Sequence, residues 1–105
     1  MLSRNRVLLV LMILFAVLAQ AAMALEISNE DGKYDGVYQA TVRNRTRDQV
    51  HEGVEVDLEG RWVEVRLPSG ARKMRAAEIW DRRYQLEITA RDSESGDLYI
   101  IQIKT

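Results

Sequence analysis

The chain reads as an all-β domain, a small antiparallel meander of five to six strands preceded by an N-terminal signal helix. Three observations carry this. Beyond residue 35 the apolar residues recur at every second position in short runs, and none recurs at helical spacing over any length. The runs are bounded by Gly, Pro, Asp and Ser, the residues that make turns. Little chain lies between one run and the next, which leaves no room for the crossover helices of a parallel sheet.

The first 24 residues have the composition of an export signal. Arg4 and Arg6 supply a positive start, residues 7–19 are uninterruptedly apolar, and Ala22-Met23-Ala24 ends the segment with a small-x-small pattern. The apolar run is short of the roughly 20 residues that span a bilayer comfortably. Cleavage is therefore expected between Ala24 and Leu25, with delivery to a bacterial periplasm. Retention as an uncleaved anchor is the competing reading, because residues 21–25 extend the apolar run. A lipid anchor at the cut is excluded, since the chain has no cysteine.

Removing those 24 residues from 105 leaves 81, enough for one domain. Two of the 15 Lys and Arg residues leave with the signal, so 13 cations face 16 Asp and Glu, a net charge of −3. A mildly acidic domain does not suit phosphate-driven nucleic-acid binding, and the signed charges are interspersed as on a solvated surface. The lack of cysteine also removes thiol nucleophiles, thiolate zinc sites and disulfides. A core this small must then suffice alone or be helped by a partner.

Residues 25–35 form a polar lead-in, loosely ordered at its start, with turn formers at Ser28-Asn29-Glu30-Asp31-Gly32. The domain proper is expected over 36–105. In the first run, 36–44, Tyr38, Ala40 and Val42 share a face. In the second, 50–58, Val54, Val56 and Leu58 point inward, and in the third, 61–67, Val63, Val65 and Leu67 do. A two-residue turn at Glu59-Gly60 would set Val56 opposite Val63 and Val54 opposite Val65, at the expense of placing Glu55 against Glu64. Pro68-Ser69-Gly70 is the next turn. With a loop reaching Ala71, Met74 would meet Val65 and Ala76 would meet Val63.

Residues 76–81 are ambiguous between continued strand and a single helical turn. From Tyr84 the alternation resumes, with Tyr84, Leu86, Ile88 and Ala90 inward. After the polar loop 92–97, pairing Ile88 with Ile101, Leu86 with Ile103 and Ala90 with Tyr99 again matches apolar faces. Leu98 and Ile100 point the other way, so this last strand is expected to be covered on both sides. The meander can bury its face by curling into a barrel or by folding as a compact sandwich. The barrel is favoured because closure removes strand edges. In strand count and size the domain resembles small SH3-like or OB-like barrels, a likeness of fold only.

No catalytic residue, metal ligand set or cofactor motif emerges. His51 beside Glu52 could act as an acid–base pair, but no nucleophile elbow or thiol accompanies it, and a solvated edge histidine suits the pattern better. The carboxylates Glu55, Asp57, Glu59 and Glu64 read as the wet face of a hairpin. The segment 29–36 only superficially resembles a calcium loop, because it lacks the alternating acids and carries Lys33.

One cluster has the composition of a binding surface. Arg72, Lys73 and Arg75 precede Trp80, and Arg82, Arg83 and Tyr84 follow it, while Trp62 projects from the polar face of its strand. Arginine beside an indole or phenol grips partners by hydrogen bonding, stacking and cation–π attraction. Core burial of Trp80 and Tyr84, with cations lining a solvated edge, is the alternative. The sequence thus points to an exported, noncatalytic binding or accessory module of the envelope, contacting a protein or an anionic polymer through these eight residues. A small periplasmic hydrolase built on His51, or a self-associating assembly subunit, are the other readings.

Overall fold

A computed structural model describes residues 24–104; the signal segment expected at residues 1–24 lies, except for Ala24, outside the described residues. Seven strands follow one another: β1 (Leu25–Glu26), β2 (Gly36–Asn44), β3 (Gln49–Glu59), β4 (Trp62–Leu67), β5 (Gly70–Arg82), β6 (Gln85–Arg91) and β7 (Leu98–Lys104). From β2 to β7 each strand pairs antiparallel with the next, and β7 returns to pair with β2. The result is a closed six-stranded barrel rather than a sandwich. β1 is an added strand on β5. The 13-residue β5 makes closure possible, since its first half pairs with β4 and its second half with β6. Pairing around the ring leaves only short edge segments for the self-association reading to use.

The inward face carries the alternating apolar residues that the sequence assigns to it. Val42, Val56, Val63, Val65, Ile79, Ile88, Ile101 and Ile103 are fully buried, with Ala40, Ala76 and Ala90 filling narrow places. Tyr99 lies opposite Ala90, a large side chain set against a small one, which suits a narrow barrel. The register expected for β6 and β7 is the one formed, with Ile88 against Ile101 and Leu86 against Ile103.

The neighbouring registers differ from expectation by two residues. Val56 faces Val65 and Leu58 faces Val63 across a Gly60-Arg61 turn, not a Glu59-Gly60 one. Gly60 has φ 59°, the left-handed geometry that a two-residue hairpin turn asks of its first central residue. In the next hairpin Leu67 faces Gly70 across Pro68-Ser69, so Met74 meets Val63 and Arg72 meets Val65. A slip of two keeps every apolar face inward, so alternation alone cannot distinguish these registers. The slip also moves the acids. Glu64 lies opposite Asp57 instead of Glu55, Lys73 flanks it on its other side, and Arg66 Nε approaches Glu55 to 3.1 Å.

Two bulges reset which residues face in. On β3, Ala40 pairs with Val54 but Val42 pairs with His51, so Glu52 and Gly53 together occupy the place opposite Thr41. Gly53 has φ 63°, a conformation that favours glycine. On β5, Ala77 is the extra residue between the Ala76–Ala90 and Glu78–Thr89 pairs. The ambiguous stretch 76–81 is therefore strand, with Ile79 turned in and Trp80 out. Tyr84, expected inward, sits instead in the Arg83-Tyr84 turn and is 68% exposed. Leu98 and Ile100 do face outward but are only half-buried, not covered as expected.

The lead-in is tied down more firmly than its composition suggests. Ile27 donates its backbone N–H to the Ile79 carbonyl and packs on the core. Asn29 is 2% exposed and sits at φ 53°, its amide donating to the Gly60 carbonyl (2.7 Å) and to Asp35 Oδ1 (3.1 Å) while its oxygen accepts from the Tyr34 N–H. One short polar side chain thereby fastens residues 27–35 across the lower end of the barrel.

Candidate functional site

The eight residues of the Arg/Trp/Tyr cluster separate into three places. Trp62 and its cross-strand neighbour Arg75 lie on the outer face of β4 and β5, with Lys73 one pair further on. The indole is 50% exposed, and Lys73 Nζ stands 5.7 Å from the ring centre, within cation–π range. Arg91 faces Arg75 from β6, which extends the positive side of the surface. Trp62 and Lys73 also border a shallow cleft with Glu30, Asp31, Asp35 and Glu59. The exposed indole thus stands among charges of both signs.

Trp80, Arg82, Arg83 and Tyr84 form a second group around the β5–β6 turn, about 15 Å further along the strand. Its polar groups are largely engaged with their own neighbours. Trp80 Nε1 donates to Glu78 Oε2 at 3.1 Å, Arg82 lies 5.8 Å over the Trp80 ring, and its Nε is 3.4 Å from Glu87. Arg83 stacks toward Tyr84 at 5.1 Å. Trp80 is half-buried, so neither full core burial nor full exposure describes it.

Arg72 leaves the cluster altogether. Opposite the buried Val65 it lies on the inward side of β5 at the rim of the barrel, where Nη1 donates to the exposed Glu94 Oε2 at 2.9 Å and lies 3.5 Å from Asp92. It is part of the upper mouth, which the β2–β3, β4–β5 and β6–β7 loops build together. Asn44 Nδ2 and Arg47 Nε both donate to Asp97 Oδ2, at 2.9 and 2.8 Å. Asp92 accepts from the Glu94 N–H and from Ser95 Oγ, and Ser95 Oγ accepts from the Asp97 N–H. The cavity between these loops is about 280 Å3 and is also lined by His51, Ser69 and Tyr99. The Gly53 bulge is what brings His51 here, opposite Val42, where uninterrupted alternation would have left it on the outer face.

The bond from the Asn44 amide, reinforced by the Arg47 guanidinium, holds the Asp97 carboxyl below the usual aspartate range. An unfolded aspartate titrates near 3.9. The contribution of these bonds is therefore complete above about pH 4 and is lost as pH falls through the lower folded value. Urea denaturation at stepped pH is expected to show the wild type losing stability below about pH 4. Asp97→Asn should be less stable at neutral pH and flatter across that acid window. An equally steep acid loss in the variant would assign it to other carboxylates.

The lower end is sealed. Tyr34 Oη donates to Asp81 Oδ2 at 2.7 Å, and Tyr38 Oη donates to the Tyr34 carbonyl at 2.6 Å. The hydrogen bond to Asp81 raises the Tyr34 phenol above its ordinary value, with burial and the Asp81 charge adding to it. The stretch that resembled a calcium loop is a pair of turns in which Gly32 N–H binds the Asn29 carbonyl and Asp35 N–H the Gly32 carbonyl. Asp35 Oδ1 is taken by Asn29 and by the Gly60 N–H. No three His, Asp or Glu side chains among the described residues come together as a metal site.

Compared with family models, with curated proteins and with solved structures, the chain matches none. The site residues that sequence reasoning missed are Asn44, Arg47, Asp92 and Asp97 at the mouth, and Arg61 below. Arg61 extends its guanidinium to the carbonyls of Ala76 and Ala77, and to that of Ser28, where β4 ends and β1 begins on β5. A mid-strand glycine at position 53 was the available sign of the bulge that turns His51 inward.

Proposed function

We propose that this protein is an exported, noncatalytic binding or accessory module of the bacterial envelope that docks a protein partner through the surface centred on Trp62. The observation that carries this is the half-exposed indole of Trp62, held on a rigid strand beside Arg75 and a cleft that Lys73 shares with Glu30, Asp31 and Glu59. A large aromatic left in water with charges of both signs around it has the make-up of an interface anchor. The mixed charge favours a protein over an anionic envelope polymer, since the acids would repel a uniformly negative chain. Trp80, Arg82, Arg83 and Tyr84 would form an outlying contact.

Capture from a periplasmic extract tests this directly. Trp62→Ala, with the domain fully folded, is expected to abolish capture, because truncating an anchor of this kind weakens binding by about 2 kcal/mol or more. Lys73→Glu combined with Arg75→Glu should weaken it too. Capture of the same proteins by all three forms would reduce the surface to ordinary solvated strand. N-terminal sequencing of the protein from a periplasmic fraction, beginning at Leu25, is the expected sign of export and cleavage.

The hydrolase reading finds support in the mouth cavity, where His51 shares walls with Asp92 and Asp97. Asp92 accepts through both oxygens and Asp97 through Oδ2 from loop and arginine donors, and neither makes a hydrogen bond with the imidazole. That engagement is why binding rather than catalysis is proposed.

A further inference from the structure

We infer that the upper mouth of the barrel is a second binding site, for a compact oxyanion: a small molecule carrying a carboxylate or phosphate group. The argument starts from which polar groups at the mouth are already engaged. Asp92 and Asp97 are 3% and 5% exposed, and both carboxylates accept from partners inside the fold. Asp97 holds the Arg47 guanidinium at 2.8 Å, while Arg72 is bonded to the exposed Glu94 at 2.9 Å and lies 3.5 Å from Asp92. Arg47 is bound through Nε and Arg72 through Nη1, which leaves their remaining N–H groups without a partner among the described residues.

Tyr99 supplies the second, independent observation. Its side chain is buried, 6% exposed, yet it lines the cavity, and its hydroxyl forms no hydrogen bond with the described residues. No sealed-off polar atom lacking a partner remains among the described residues, so this hydroxyl opens onto the cavity. His51 and Ser69 line the same space and are likewise without hydrogen bonds to the described residues. Donors dominate the free groups, which are guanidinium N–H groups, hydroxyls and an imidazole, with Asp97 Oδ1 a carboxylate oxygen of the lining that accepts no hydrogen bond from the described residues. An acceptor-rich ligand answers that set, and a guanidinium already anchored by a buried carboxylate binds it with little further loss of side-chain freedom.

Asp92 and Asp97 offset the two guanidinium charges, and Glu94 at the rim, bound to Arg72, leaves one negative charge in excess. Recognition should therefore rest on the directions of the donors more than on net charge, and binding should resist added salt better than a surface cation patch does. The volume of about 280 Å3 accommodates the anionic group and a short body attached to it, not a polymer.

The test is a titration of the purified protein with inorganic phosphate, and separately with acetate, followed by NMR of the His51, Arg47 and Tyr99 resonances. Chloride at matched ionic strength serves as reference. Saturable shifts confined to the mouth are expected with at least one of the two oxyanions, and the stronger response identifies which. Tyr99→Phe should keep the fold and weaken that binding about tenfold, the loss of one hydrogen bond to a charged group. Trp62→Ala should leave it unchanged, so failure of the interface reading and failure of this one are separable. Shifts that do not saturate, that centre on Lys73 and Arg75, or that are indifferent to Tyr99→Phe would overturn the assignment.

Discussion

Ile88→Ala is expected to destabilise the domain by about 2–5 kcal/mol, enough to leave it partly unfolded at physiological temperature. Ile88 is fully buried, with Ile79 on one neighbouring strand and Ile101 on the other. Each of these is itself fully buried and fixed in a closed hydrogen-bonded ring, so the walls cannot collapse to fill the space a shortened side chain leaves. A domain of this size has a total stability of about 4–12 kcal/mol and no disulfide to fall back on. Thermal unfolding followed by circular dichroism should show the midpoint falling by about 10–30 °C. Ile100→Ala is the matched control, since Ile100 faces outward and is half-buried. It should lose less than about 1 kcal/mol. Similar losses for the two variants would mean that the ring encloses no tightly packed centre.

Asn29→Ala is expected to lose about 2–4 kcal/mol, although Asn29 belongs to no strand. Its amide and oxygen make three hydrogen bonds, to the Gly60 carbonyl, the Asp35 carboxylate and the Tyr34 N–H. Removing them strands polar groups in a partly buried place, at about 1–3 kcal/mol. Alanine must also adopt the φ of 53° found here, which adds about 1 kcal/mol. Asn29→Gly separates the two effects, because glycine loses the bonds but not the backbone conformation. Urea denaturation should rank wild type above Asn29→Gly and Asn29→Gly above Asn29→Ala. Amide exchange at Tyr34, whose N–H donates to Asn29 Oδ1, should rise in both variants. Equal stability of the two variants would remove the strain contribution, and stability equal to wild type would remove the clasp.

The two substitutions probe different kinds of information in the chain. Ile88 was legible as core because apolar residues at every second position can share one face only in a strand. The same logic assigned Val54, Val56, Leu58, Val63, Val65 and the β6–β7 register. The clasp made by Asn29 was not legible, because a turn former in a polar stretch looks the same whether its amide meets water or a carbonyl 31 residues away. Arg72 shows the same limit. Its neighbours Lys73 and Arg75 are outward cations, and only the β5 register places Arg72 opposite Val65 and over Asp92.

Turns and bulges account for most of the remaining disagreement. The hairpins β3–β4 and β4–β5 were each shifted by two residues because a period of two is blind to such a shift, and the choice falls to Gly60 and to Pro68-Ser69. The single extra residues at Gly53 and Ala77 reverse inside and outside beyond them. They bring His51 into the mouth, turn Trp80 outward and leave Ile79 in the core.

Periodicity, turn composition and charge were thus sufficient for the all-β class, the antiparallel meander and the identity of most of its core, because each of these depends on local alternation and on the short distance between runs; they left open whether the meander closes as a barrel or folds as a sandwich. The expected export signal rests on composition alone. Tertiary structure decided which strand edges meet, how the lead-in seals the lower end, and which side chains share the mouth. Those outcomes depend on closure of the ring, where one register sets all the others and residues far apart in sequence must satisfy each other's hydrogen bonds.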